Sequence, residues 1–254
     1  MTVRTAAIVL TIGLFAALSV VSVPVLAADG KLRVGTVGDY PPFNYIDDAG
    51  ELTGFDIEIV GALCAEMGVD CELQRHGWEA LIPELRAGTF DAIAASMSIT
   101  GKRRQLVSFT DRYYSNVVRF VARKGSGFDP ANAAGTTIGV ARATVSSDWL
   151  EANMAGVATI ELYTGQQEML DDLVAGHLDT VLGDGLGYHA WLQGPDGDGF
   201  EFAGEGLRLD EGIGIAVRKE DETLRQDLNR TLRAILADGT YEAINARYFP
   251  FSIY

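Results

Sequence analysis

The chain has 254 residues, a formal net charge of −15 at pH 7 and 48% hydrophobic residues. So acidic a balance repels nucleic acid phosphates and anionic membrane surfaces, leaving small molecules and proteins as partners. The length suits two lobes of roughly 100 residues each.

Arg4 is the only charged residue before Asp29, and Ala6 to Val23 is almost wholly apolar. With Pro24 and the small residues of Val25-Leu26-Ala27, residues 1–27 read as a secretory signal peptide rather than an uncleaved anchor. The mature chain then begins at Ala28 or Asp29 and carries −16. Leu32 to Val37 is a buried strand. Asp39-Tyr40-Pro41-Pro42-Phe43 leaves it as a rigid turn, because each Pro fixes its own φ and keeps its predecessor extended. Asp56 is placed to cap the next helix, whose inner face carries Ile59, Val60, Leu63, Cys64 and Met67. A strand at Cys71–Gln74, a helix marked by Trp78, Leu81, Ile82 and Leu85, and a strand at Asp91–Ala95 follow.

Val117–Ala122 reads as a continuous strand and Lys124–Gly135 as a surface connection. The second half repeats the first: a strand at Ile138–Ala141, a helix from about Ser147, a strand near Thr159–Leu162, a helix over Gln166–Ala175 and a strand at Asp179–Gly183. Gly194 to Gly206 reads as a solvated loop. Its Asp196-Gly197-Asp198-Gly199 lacks the later carboxylates of a calcium loop, and no metal or cofactor is expected. Gly212–Val217 is a further strand, and a helix carrying Leu224, Leu228, Leu232, Ile235 and Leu236 stops at Asp238-Gly239.

Two cysteines occur, Cys64 and Cys71. Metal or redox chemistry is one reading. Neighbouring His76 completes no four-ligand set, and in an exported chain a structural disulfide from a helix end to the next strand is expected.

The chain repeats itself. Leu85-Arg86-Ala87-Gly88-Thr89-Phe90-Asp91 and the apolar run to Ser96 return as Leu173-Val174-Ala175-Gly176-His177-Leu178-Asp179 and the run to Asp184. In each copy a helix ends on Ala-Gly and an apolar strand follows an Asp. Ligands of open α/β sheets bind beyond the carboxyl ends of strands, so two facing ends make a cleft. On one wall Ser96, Ser98 and the amides of Met97 to Thr100 converge near Arg103, whose planar fork suits a carboxylate. On the other, Asp184 suits an ammonium group. Together they describe the invariant part of an α-amino acid.

Ser96-Met97-Ser98-Ile99-Thr100-x-x-Arg103, Leu182-Gly183-Asp184 and Gly54-Phe55-Asp56-Ile57-Glu58-Ile59 resemble motifs of the family 3 solute-binding proteins, the periplasmic receptors of polar amino acid ABC transporters. The likeness is to the lysine/arginine/ornithine- and histidine-binding members and runs from about Leu32 to Tyr254. It implies an α/β, type II periplasmic-binding-protein fold, two Rossmann-like lobes joined by a two-strand hinge. Residues 28–117 would form the first segment of lobe 1, 118–211 lobe 2 and 212–254 the return, with crossing strands at Val117–Ala122 and Gly212–Val217. It further implies a monomer, a membrane permease as partner, the Cys64–Cys71 disulfide, and an aromatic sandwich of Tyr40 and Trp78 around the substrate side chain. Two positions depart from the pattern. Val37 stands where receptors for basic amino acids carry an acid, with Asp39 two residues on, and Ala143-Thr144-Val145 replaces a Gly-Ser-Thr stretch, leaving the Thr144 hydroxyl. A rival reading is an exported cyclohexadienyl or arogenate dehydratase using Glu79, Asp39 or His76 as acid. A receptor sensor domain and a hydrolase using His177 or His189 are weaker.

Overall fold

A computed structural model describes residues 30–254, so the expected signal peptide lies outside the described residues. In chain order the elements are β1 (Lys31–Thr36), β2 (Asp39–Tyr40), β3 (Asn44–Ile46), β4 (Leu52–Thr53), α1 (Phe55–Met67), β5 (Asp70–Arg75), α2 (Leu81–Ala87), β6 (Ala92–Ile93), α3 (Gly101–Arg104) and β7 (Ser108–Phe109). Then come β8 (Val118–Arg123), β9 (Thr137–Ala141), α4 (Val145–Met154), β10 (Thr159–Tyr163), α5 (Gln166–Ala175), β11 (Thr180–Asp184), α6 (Gly185–Leu192) and β12 (Phe200–Leu207). The chain closes with β13 (Ala216–Val217), α7 (Glu222–Ala237) and α8 (Thr240–Tyr248).

Two five-stranded sheets organise these elements, in the orders β5-β1-β6-β13-β7 and β10-β9-β11-β8-β12. Within each, the first three strands run parallel, as β-α-β units require, and the fourth runs antiparallel to the third. β1 shows why the centre of such a sheet reads as a continuous apolar run. Leu32 and Val34 pack under α1 and α7 against Ile59, Leu63, Leu224 and Leu228, while Leu81, Leu85 and Phe90 fill the opposite side of the sheet. The second sheet has two cores of the same kind, one around Phe120, Ile138 and Leu150 and one around Val121, Leu173 and Val181. Each lobe is therefore a helix–sheet–helix sandwich, as expected from the tandem pattern.

The chain passes from the first sheet to the second between β7 and β8 and returns between β12 and β13. The passages run side by side, with Tyr114 bridged to Ile213 and Val118 paired with Leu207. The expected crossing strands lie slightly too deep: β8 sits wholly in the second sheet and β13 wholly in the first, so the crossings are the short stretches before them.

Other expectations need correction. The Gly- and Asp-rich stretch to Gly206 is a loop only in its first half. Phe200 to Leu207 form edge strand β12, antiparallel to β8, with Phe200 buried and a register shift past Ala203, where Gly204 adopts φ 65°. Trp78 lies on a short 3-10 turn (Trp78–Ala80) that leads into α2. The last helix does not end the fold, because Gly239, at φ 87°, starts α8, and Tyr241, Ile244, Phe249 and Ile253 close over the first core. Asp56 is not a helix cap. Gly54 takes the N-cap position at φ 121°, where a Cβ would lie 2.3 Å from the Phe43 carbonyl oxygen. Cys64 and Cys71 form the expected disulfide, with Cα atoms 6.1 Å apart.

Candidate functional site

Between the two sheets lies a cavity of about 110 Å³ lined by residues from both. Tyr40, Trp78, Ser96, Ser98 and Arg103 come from the first lobe, Thr144 and Asp184 from the second. Each sits at or just past a strand end or in the first turn of a helix, where side chains project beyond the sheet. Arg103 stands on α3, capped by Thr100, whose hydroxyl accepts from the Arg103 amide at 3.2 Å. Its guanidinium donates to the Ser98 carbonyl at 2.9 Å and lies 5.0 Å over the Trp78 ring, so the indole face supports the cation.

Asp184 ends β11 on the opposite wall. Tyr40 donates its hydroxyl to Asp184 Oδ2 at 2.7 Å, joining two residues 144 positions apart. Desolvation in the closed cleft pushes the Asp184 carboxyl up to about 6; Asp210 adds to the rise, whereas the Tyr40 hydrogen bond, Arg103 and Asn116 hold it down. The Tyr40 hydroxyl is itself driven well above its ordinary value by burial and by the Asp184 charge. Arg103 and Asp184 thus face one cavity from different lobes.

Other contacts cross the same gap. The Trp78 indole nitrogen donates to the Ala143 carbonyl at 3.0 Å, and Arg103 reaches the same oxygen at 3.3 Å. Ala143 holds φ 57°, uncommon for a residue with a Cβ, and this turns its carbonyl toward the first lobe. Lys102 pairs with Asp148 at 3.0 Å at the rim.

Some residues occupy the expected place with a different bonding role. The Thr144 hydroxyl donates to the Ala141 carbonyl at 2.8 Å and accepts from the Ser147 amide, so it caps α4 instead of offering a free donor. What α4 presents to the cavity is its N-terminus, with Val145 and Ser146 among the lining residues. Ser96 spends its hydroxyl proton on Asp56 at 2.9 Å. Met97 does not line the cavity. Ser96 takes a left-handed turn at φ 53° and the next side chain enters the core beside Leu81 and Phe109.

Of the candidates for acid catalysis, Asp39 lines the cavity and burial raises its carboxyl. Glu79 is an exposed neighbour of Arg142 at 4.0 Å, and His76 is paired with Glu84 and packed on Phe90; neither lines the cavity. His177 pairs with Asp172 at 3.0 Å and His189 packs edge-on against Phe251, both outside the cleft. Asp198, in the aspartate-glycine loop, receives Lys124 at its carbonyl.

The cavity also takes Thr164, Gln166 and Tyr188. Thr164 and Gln166 follow β10 as Arg142 and Thr144 follow β9, so the rule that ligands gather beyond strand ends reaches them too. Tyr188 carried no comparable signal, being one aromatic on a short apolar helix.

The family described as bacterial extracellular solute-binding proteins, family 3, matches residues 32–251. The chain belongs to this family. It is 40% identical over 247 residues to the L-arginine-binding protein of Pseudomonas aeruginosa, covering 94% of this chain and 95% of that protein. It is 35% identical over 254 residues to the histidine-binding periplasmic protein of Salmonella typhimurium, covering 96% and 97%. Among solved structures, an ancestral arginine-binding protein bound to arginine superposes with a TM-score of 0.82 at 30% identity, covering 87% of this chain and 98% of that one. The fold is the type II periplasmic-binding fold expected for this family.

Proposed function

We propose that this protein is a periplasmic receptor that captures a polar L-amino acid, a basic one foremost, and delivers it to an ABC importer. One observation carries the reading: a guanidinium from one lobe and a carboxylate from the other line a single cavity. Arg103 and the N-terminus of α4 take the ligand carboxylate, where bidentate donors and a helix dipole act on the same charge. Asp184 takes the ammonium, displacing or sharing the Tyr40 hydroxyl. Trp78 and Tyr40 flank the side chain, which extends past Val37 toward Asp39. The apolar Val37 leaves Asp39 as the acid nearest a cationic side-chain tip, and the arginine- and histidine-binding relatives support that class.

Capture proceeds by closure. The ligand docks on the first lobe, the second lobe swings in to add Asp184 and α4, and the paired crossing segments absorb the rotation. A membrane permease recognises the closed form, and the receptor works as a monomer. A thermal-shift screen of the common L-amino acids, followed by calorimetry, tests this reading. L-Arginine, L-lysine or L-histidine is expected to raise the melting temperature and bind with micromolar affinity, roughly −8 kcal/mol. A panel without any stabilising amino acid would overturn the reading. Turnover of arogenate or prephenate, read by absorbance, would favour the dehydratase instead; Asp39 is the one acid of the three near enough to serve it.

A further inference from the structure

Helix α1 carries a buried acid, Asp56, that does not line the cavity. Asp56 is fully buried and receives the Asn44 amide at 2.8 Å, the Ser96 hydroxyl at 2.9 Å and the Tyr113 hydroxyl at 2.6 Å. Asn44 in turn accepts from the Gly38 amide at 2.9 Å, so the turn between β1 and β2 is fastened to the same group.

Ser96 is the member of this set that lines the cavity, and its backbone sits at φ 53°. A residue with a Cβ holds that conformation only when its surroundings over-determine it. Here Asp56 takes the Ser96 hydroxyl proton. A hydroxyl has a single proton, and once that proton is committed behind the cavity wall only lone pairs remain to face the ligand. We infer that Asp56 is a positioning residue that fixes Ser96 as an obligate hydrogen-bond acceptor, so that the first lobe receives a ligand N–H at this point and rejects an oxygen acceptor there.

This rests on the amino acid receptor reading, and the experiment separates the two. Calorimetry measures the affinity of L-arginine and of 5-guanidinopentanoic acid, its analogue without the α-amino group, for the full exported chain. Asp56→Asn keeps the shape of the side chain but removes the charge of the acceptor that holds the Ser96 proton. The ratio of the two affinities is expected to fall at least tenfold in Asp56→Asn, whereas general loosening of the fold would weaken both ligands alike. In a Ser96→Gly background, which suits the left-handed backbone, Asp56→Asn is expected to change L-arginine affinity less than twofold. An unchanged ratio, or an equal Asp56→Asn effect with and without the Ser96 hydroxyl, overturns the inference. If Asp56→Asn does not fold, Ser96→Gly alone carries the test, since an unaltered ratio there removes the acceptor on which the inference depends. A wild-type protein that binds neither L-arginine nor any other common L-amino acid would instead sink the receptor reading.

Discussion

The two copies of the repeated phrase fold alike and are held differently. α2 and α5 both end on a left-handed glycine, Gly88 at φ 82° and Gly176 at φ 80°. The Asp three residues later repeats one motif in both lobes. Its amide donates to the strand beside it, to the Arg33 carbonyl from Asp91 and the Thr137 carbonyl from Asp179, and its carboxylate takes the amide of the same residue in return. From there the copies part. Asp91 is 3% exposed and receives the Arg33 and Arg218 guanidinium groups, whereas Asp179 is exposed. At the strand ends, Ser96 is anchored within its own lobe by Asp56, while Asp184 is met by Tyr40 from the other lobe. The first lobe is a platform finished before ligand arrives. The second lobe's polar end takes a partner from across the cleft.

Substituting the two aspartates breaks or upholds that contrast most sharply. Asp91→Asn leaves two guanidinium groups facing a neutral amide in a buried setting, and an unfolding free energy lower by about 3–5 kcal/mol is expected in urea titrations. Asp179→Asn removes one exposed hydrogen-bond acceptor and is expected to cost about 1 kcal/mol. Equal losses would mean that the arginines add nothing. The arginines and the Arg33 amide hold the Asp91 carboxyl below its ordinary value against the opposing effect of burial. Its contribution is therefore complete above the unfolded value near 4, and is lost as pH falls through the lower folded value.

The platform's part in binding is read from Arg103→Ala. With its one charged partner in the first lobe gone, the ligand carboxylate is expected to bind about 2 kcal/mol more weakly, roughly a thirtyfold rise in Kd by calorimetry. Unaltered affinity would move the carboxylate site elsewhere.

The closing wall is probed by pH. Burial pushes the Asp184 carboxyl up to about 6 against the opposing Tyr40 hydrogen bond, Arg103 and Asn116. A raised folded value has the opposite sign from Asp91, so protonation on going below about 6 favours the ligand-free fold instead of weakening it. The same proton competes with the ligand ammonium. Affinity is expected to drop close to tenfold per pH unit below about 6, and Asp184→Asn to flatten that slope while weakening binding at pH 7.5. A wild-type profile that stays level from pH 7.5 to 4.5 would separate Asp184 from the ammonium.

Local patterns carried much of this. Alternation and helical spacing locate the repeated β-α-β units, strand-end position plus residue chemistry single out Arg103 and Asp184, and Trp78 follows from the family resemblance. Partners far apart in the chain were not legible. Asp56 reads as a helix cap because Asp near a helix start usually is one, yet its partners Ser96 and Tyr113 lie 40 and 57 residues away. Thr144 reads as a ligand donor and serves as a cap, since the same hydroxyl chemistry suits both tasks. Composition misled at β12, where the glycines and aspartates of residues 194–199 colour the strand that follows.

The smallest effect lies where the two lobes meet. The Trp78 indole N–H donates to the Ala143 carbonyl across the cleft, so direct contacts between the lobes contribute to the free energy of closure. Trp78→Phe keeps an aromatic face beneath Arg103 and deletes that donor together with one ring of the indole. The Ala143 oxygen retains the longer Arg103 contact at 3.3 Å, which limits the damage. Loss of one neutral hydrogen bond is worth about 1 kcal/mol, so a few-fold rise in Kd for L-arginine is expected. Because the bond stabilises the closed state before binding, the ligand-free variant should also shift toward a larger radius of gyration in solution scattering, while the ligand-saturated proteins scatter alike. A weakened Kd with identical ligand-free scattering would place the indole N–H on the ligand instead of the opposite lobe, and the platform would then extend one residue further than the contrast between the lobes allows.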